Sequence, residues 1–144
     1  MNEEISRAHA EMKEAFGLVP SWVRDMPESA IPGFWSIMKG FQLGETRIPN
    51  KYKELIGLAV SGATRCRYCA LFHTEAARLF GATDEEIAEA SMMAAHTMGA
   101  STFLNAQQID YEQFRSETLE AVAWARAHQA GPTIQRNVQV AGHA

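Results

Sequence analysis

Apolar residues recur every three or four positions along most of the chain, which is the spacing of one face of an α-helix. The first helix is predicted over residues 3–16 and ends at Gly17. After an irregular stretch over residues 18–27, a second helix is predicted over residues 29–43, with Pro32 tolerated in its first turn.

The middle of the chain holds the most apolar segment. Pro49 opens a third helix, since its missing N–H costs nothing in the first turn. Residues 55–64 carry no charge, so this helix is expected to be central and buried. Gly62 marks its end, and Thr64 is the expected N-cap of a fourth helix over residues 65–80.

Capping signals divide the remainder of the chain. Gly81 closes the fourth helix, and Thr83-Asp84-Glu85-Glu86 is a capping box that begins a fifth helix, to about Met98. Five of its residues are interpreted as close-packed core: Met92, Met93, Ala94, Ala95 and Met98.

Two more helices are predicted after Gly99. Ser101 or Thr102 caps the first, and Asp110 caps the last, which runs to about residue 129. Residues 133–144 lack periodicity and are expected to form a loose tail. No segment has the pattern of a strand or a linker, so the prediction is one all-α domain, a helical bundle over residues 1–144.

Composition narrows the function classes. The chain has 144 residues, 47% of them hydrophobic, which suffices for a core and excludes a disordered polar chain. The net charge is −4 and no basic cluster occurs, which disfavours nucleic-acid binding. Neither a signal peptide nor a membrane-spanning stretch is visible, so we expect a cytoplasmic protein with no membrane partner.

The chain has two cysteines, Cys66 and Cys69, separated by two residues. A disulfide across so short a loop adds little stability, so redox or metal chemistry is the better reason for the pair. On a helix Cys66, Cys69 and His73 fall within an arc of about 60°. Near a helix N-terminus, with Arg65 and Arg67 beside it, a thiol is activated towards the thiolate. Which sulfur attacks first stays open.

Glu54 precedes Cys66 by twelve residues. On a continuous helix it would lie about 18 Å away, too far to act. If residues 62–65 turn the chain back into an antiparallel helix pair, however, Glu54 lies level with His73. The spacing then supports a proton relay in which the Glu54 carboxylate orients the His73 imidazole.

Glu54, Cys66-x-x-Cys69 and His73 at this spacing resemble the alkylhydroperoxidase D (AhpD)-like branch of the carboxymuconolactone decarboxylase family. The resemblance covers about residues 49–108, including Met98-Gly99-Ala-Ser-Thr-Phe-Leu-Asn105-Ala. The resemblance implies an all-α homo-oligomer, commonly a trimer or hexamer. It also implies reduction of a hydroperoxide or disulfide by the cysteine pair, with Glu54 and His73 as the relay and an external dithiol as reductant. No organic cofactor or metal is required. Tyr68 stands where some relatives have a second histidine.

Three alternatives remain. Cys66, Cys69 and His73, with Glu54 or His96, are acceptable zinc ligands, although structural zinc sites usually join separate segments. An enzyme acting on a lactone or small acid would use Glu54 and His73 as acid and base and leave the cysteines idle. A non-enzymatic redox sensor would use the disulfide only to change its shape or partners. His96 itself is interpreted as a core or interface residue.

Overall fold

The structure, a computed structural model, describes residues 3–128. Within that range every regular element is helical and no strand occurs, which confirms the all-α prediction. Residues 3–128 form seven α-helices: α1 Glu3–Phe16, α2 Ser21–Arg24, α3 Ile31–Ile37, α4 Asn50–Ala63, α5 Arg67–Leu79, α6 Asp84–Ala106 and α7 Tyr111–His128. A 3₁₀ turn, Glu28–Ala30, leads into α3, and a π-helical turn, Met38–Gln42, follows it. No helix among these residues is long and apolar enough to cross a membrane.

The chain divides into two compact units, one up to Met98 and one from Gly99. The core of the first unit lies between α1 and α3 rather than around α4. It consists of Ile5, Ala8, Met12, Val23, Ile31, Trp35 and Met38. The indole Nε1 of Trp35 donates to Glu11 Oε2 at 2.6 Å, so this buried ring keeps its polar atom paired.

Helix α4 was expected to be the central buried helix, and this prediction is wrong. Only Glu54, Leu58 and Ser61 of α4 are buried, while Ile56 and Val60 are more than half exposed. The reason is that α4 packs mainly against α5, along one face. A helix with a single neighbour buries a single stripe, whatever its overall hydrophobicity.

The turn between α4 and α5 corrects the predicted cap. Thr64 is the C-cap of α4, where its hydroxyl donates to Val60 O, and it is not the N-cap of α5. Arg65 takes the left-handed conformation, with φ 56°, and the N–H groups of Arg65 and Cys66 donate back to Gly62 O and Ser61 O. This is a Schellman motif with arginine in the position that glycine usually occupies, at a cost of about 1–2 kcal/mol.

Helix α6 begins at the predicted capping box and then runs further than expected. The Thr83 N–H donates to Glu86 Oε2 at 2.9 Å, and the Glu86 N–H donates to Thr83 Oγ1 at 3.2 Å. The predicted break at Gly99, with a cap at Ser101 or Thr102, is wrong because α6 continues to Ala106. A single glycine costs a helix only about 1 kcal/mol relative to alanine, which its flanking turns can absorb.

The predicted core of this helix is also corrected. Met92, Met93 and Met98 are about half or more exposed, and no residue of α6 is buried. In α7 the predicted cap is confirmed, since the Gln113 N–H donates to Asp110 Oδ1 at 2.8 Å. No residue of α7 is buried. The predicted helix end near residue 129 and the tail lie outside the described residues, and the single-domain interpretation stays a prediction.

Candidate active site

The two thiols meet where α5 begins. Cys66 is the N-cap of the helix, with extended backbone angles, whereas it was expected two positions inside it. Its Sγ accepts a hydrogen bond from the Cys69 N–H at 3.3 Å, as a capping side chain does, and lies 2.7 Å from Cys69 Sγ. Both cysteines are free thiols, Cys66 half-buried and Cys69 exposed. The turn at Arg65 sets this geometry because it fixes the backbone of Cys66.

The surroundings of the two sulfurs place the negative charge on Cys66. The contact with the Cys69 thiol lowers the pKa of Cys66, and the backbone N–H groups of Cys69 and Tyr68 lower it further. The same thiol–thiolate contact raises the pKa of Cys69, and burial raises it again. Between the two pKa values of the cysteine pair, the pair therefore holds one proton, and this proton is on Cys69.

Removing the Cys69 side chain is expected to raise the pKa of Cys66. In Cys69→Ala the largest cause of the lowered pKa is lost, while the backbone donors remain. The pH dependence of iodoacetamide alkylation should therefore shift upwards relative to the first thiol of the unsubstituted protein. Tyr68→Phe, which keeps the backbone N–H, serves as the control and should leave the profile unchanged. A Cys66 profile that does not move in Cys69→Ala contradicts the assignment of the charge.

The predicted Glu54–His73 contact is present. Helices α4 and α5 run antiparallel, and His73 Nδ1 lies 2.6 Å from Glu54 Oε2. The Glu54 side chain is fully buried and that of His73 is 20% exposed. Because a carboxylate oxygen only accepts, Nδ1 is the donor in this contact. The other carboxylate oxygen, Oε1, is buried without a hydrogen-bond partner in the described residues.

His73 follows Cys69 by one helical turn on α5, so the buried acid, the imidazole and the thiols form a series along this helix pair. The sequence reasoning missed Ser61, the third buried residue of α4. Its carbonyl accepts from the Cys66 N–H at 2.9 Å, and its hydroxyl donates to Gly57 O at 2.6 Å. A signal existed, because a serine on the same helical face as Glu54 stands out in an apolar run.

The remaining candidates lie at the edge of the site. Tyr68 is 74% exposed, and its hydroxyl accepts from the Arg67 guanidinium at 3.3 Å. His96 is exposed on α6, so its interpretation as a core residue is wrong within the single chain. Over residues 3–128 no three His, Cys, Asp or Glu side chains come together in a group suited to a metal ion. The proposed zinc ligands are therefore not assembled as a metal site.

Comparison with known proteins identifies the family of the chain. The model of the carboxymuconolactone decarboxylase family matches residues 31–109, which is more than half of the chain. The chain belongs to this family. The matched region includes α4 and α5, and with them the four candidate site residues Glu54, Cys66, Cys69 and His73.

Two solved structures are similar to the chain in fold. The alkylhydroperoxidase AhpD core from Rhodospirillum rubrum has a TM-score of 0.68 and 28% identity, over 77% of this chain and 85% of that one. A carboxymuconolactone decarboxylase homologue from Burkholderia xenovorans has a TM-score of 0.55 and 17% identity, over 67% and 77% of the two chains, and shows the fold alone.

A sequence relative from Paracoccus denitrificans, named uncharacterized protein 4 in the cox locus, is 34% identical over 61 residues. The match covers 42% of this chain and 55% of that protein, so the chain spans about half of the relative's length.

Proposed function

We propose that this member of the family is a thiol-dependent oxidoreductase that reduces a hydroperoxide or a disulfide through Cys66 and Cys69. The observation that carries the proposal is the 2.7 Å separation of the two sulfurs at the start of α5, with the charge favoured on one of them. A thiolate with a thiol in contact is the reactant that disulfide formation needs. The likeness to the Rhodospirillum rubrum alkylhydroperoxidase core supports the same chemistry.

With a hydroperoxide, the thiolate attacks the terminal oxygen and the O–O bond breaks. The sulfur becomes a sulfenic acid, and the alkoxide leaves as an alcohol after taking a proton. The second thiol then condenses with the sulfenic acid, which forms the disulfide and releases water. An external dithiol supplies the two electrons and two protons that restore the pair. With a disulfide substrate, the attack gives a mixed disulfide that the second cysteine resolves.

Glu54 and His73 serve as the proton relay in this scheme. The imidazole removes the proton of the attacking or resolving thiol and returns it to the leaving group, while the buried carboxylate holds the ring in one tautomer. The pKa order favours Cys66 as the resting thiolate, and His73 stands one turn from Cys69, which must lose its proton before it can resolve the adduct. The cytoplasmic location and the external dithiol reductant stay predictions.

A stoichiometric dose of an organic hydroperoxide tests the proposal. We expect both free thiols to disappear, one alcohol to form per protein, and the peptide that carries Cys66 and Cys69 to lose two hydrogens. Reduction with a dithiol should restore the starting mass. Retention of both thiols after hydroperoxide and also after a reactive disulfide contradicts the proposal. Bound zinc in purified, unchelated protein favours the metal alternative instead.

A second candidate function rests on the Glu54–His73 pair, which is assembled independently of the thiols. In an enzyme that decarboxylates or isomerises a small acid or lactone, this pair would be the acid and base. Replacing both cysteines with serine separates the two functions, because only the lactone enzyme keeps its activity. A redox sensor would form the disulfide without catalytic turnover.

We also expect the protein to form a homo-oligomer, commonly a trimer or hexamer in AhpD-like relatives. In the second unit, Phe103, Tyr111, Leu119 and Trp124 are each more than half exposed. Exposed apolar surface of this extent is typical of a face that another subunit covers. Size exclusion coupled to light scattering measures the mass, and a single species of 15.9 kDa at micromolar concentration contradicts the prediction.

A further inference from the structure

We infer that Gly57 is a positioning residue for His73: the bare backbone of α4 at this point lets the imidazole lie where Nδ1 meets Glu54. This inference rests on the proposed relay, because it states what positions His73 against Glu54. Glycine inside a helix is unfavourable, so a glycine in the middle of α4 calls for a reason.

The geometry gives that reason. A methyl group built on Gly57 would lie 2.4 Å from His73 Cε1, 2.5 Å from Nδ1 and 2.7 Å from Nε2. All three of its nearest neighbours are therefore atoms of one ring, and these nearly equal distances place the methyl group over the face of the ring rather than beyond its edge. Glu54 precedes Gly57 by three residues on the same helix, so the two residues are neighbours on one face of α4.

Neither the added methyl group nor the His73 ring can move aside without changing the contact between Glu54 and His73. Non-bonded carbon atoms prefer a separation of about 3.5–4.0 Å, so a methyl group displaces the ring by about 1 Å. The imidazole is rigid, and the backbone on both sides is fixed by the α4 and α5 hydrogen bonds. The ring must therefore rotate away from α4, which lengthens the 2.6 Å contact with Glu54 Oε2.

Gly57→Ala tests the inference, with Gly62→Ala as its matched control. Both glycines lie on α4, and a methyl group at Gly62 meets no atom within 4 Å. We expect Gly57→Ala to slow thiol oxidation by hydroperoxide at neutral pH by about 10²-fold, the typical effect of a 1 Å misplacement. Gly62→Ala should stay within twofold of the unsubstituted protein. Raising the pH until hydroxide forms the thiolate should restore most of the rate in Gly57→Ala.

A double substitution distinguishes positioning from general damage. In a His73→Gln background, Gly57→Ala should cause no further loss of rate, since the group that it displaces is already gone. The ¹⁵N and ¹H NMR signals of the His73 ring provide a readout that does not depend on catalysis. Gly57→Ala should move the hydrogen-bonded Nδ1 proton towards the position of an unpaired ring, while Gly62→Ala leaves it unchanged.

Unchanged His73 signals in Gly57→Ala overturn the inference, as does a loss of rate that persists at high pH or that multiplies with His73→Gln. If His73→Gln itself leaves the rate unchanged, the proposed relay fails. The NMR comparison then still decides whether Gly57 positions the ring.

Discussion

Glutamine in place of Glu54 or of His73 should slow the reaction of the thiol pair with hydroperoxide or disulfide by about 10²–10⁴-fold at neutral pH, the usual contribution of a general base. The double variant should be little slower than the slower single variant. Members of one relay are non-additive, because the loss of either residue breaks the path. The 2.6 Å contact between the two side chains is the structural basis for this expectation.

The pH dependence supplies the control for this experiment. Above the pKa of the free thiol, hydroxide generates the thiolate without the relay, so the variants should approach the rate of the unsubstituted protein. Stopped-flow measurement of thiol loss between neutral and alkaline pH gives both the loss of rate at neutral pH and its recovery at high pH. Two effects that multiply, with no recovery at high pH, would show that Glu54 and His73 act separately.

Replacing His73 with leucine should lower the free energy of unfolding at neutral pH by about 3–5 kcal/mol, because it leaves a buried charge without its partner. The Glu54 side chain is fully buried, and its Oε1 has no other hydrogen-bond partner in the described residues, so the histidine is the group that compensates the carboxylate. Urea unfolding at neutral pH measures the loss of stability.

Two further variants keep this prediction specific. Glu54→Leu combined with His73→Leu removes the charge together with its partner, so it should be more stable than His73→Leu alone. His96→Leu replaces an exposed histidine on α6 and should change the stability by no more than about 0.5 kcal/mol. A His73→Leu variant that is no less stable than His96→Leu would show that His73 does not compensate the buried Glu54 side chain.

The sequence predicted those parts of the fold that local signals govern. The bounds of α1, the capping box at Thr83 and the cap at Asp110 all match, because each depends on side chains within one turn of the helix end. The contact between Glu54 and His73 was predicted by treating residues 62–65 as a tight turn, and it is present. Two helices joined by so short a turn have almost no freedom to change register.

The missed features depend on neighbours that a single chain's pattern does not specify. Apolar residues at helical spacing predict a contact face, but not whether the same chain or another subunit covers it, which explains the exposed Met92 and Met93. The shift of the N-cap from Thr64 to Cys66 follows from the left-handed conformation of Arg65, and arginine gives no signal for that conformation. The helix was wrongly predicted to end at Gly99 because this single glycine was given more weight than the helix-forming residues on both sides of it.

The Schellman turn at Arg65 also makes the antiparallel pair of α4 and α5 intolerant of added or deleted residues in the turn between them. One residue added between Ser61 and Cys66 would rotate α5 by about 100° about its axis relative to α4, because a helix turns that much per residue. His73 would then face away from Glu54, although all four reactive side chains would still be present in the chain. The number of residues between Glu54 and Cys66 is thus as much a part of the site as the residues themselves. Insertions tolerated elsewhere on the surface should be excluded from this turn in any functional homologue.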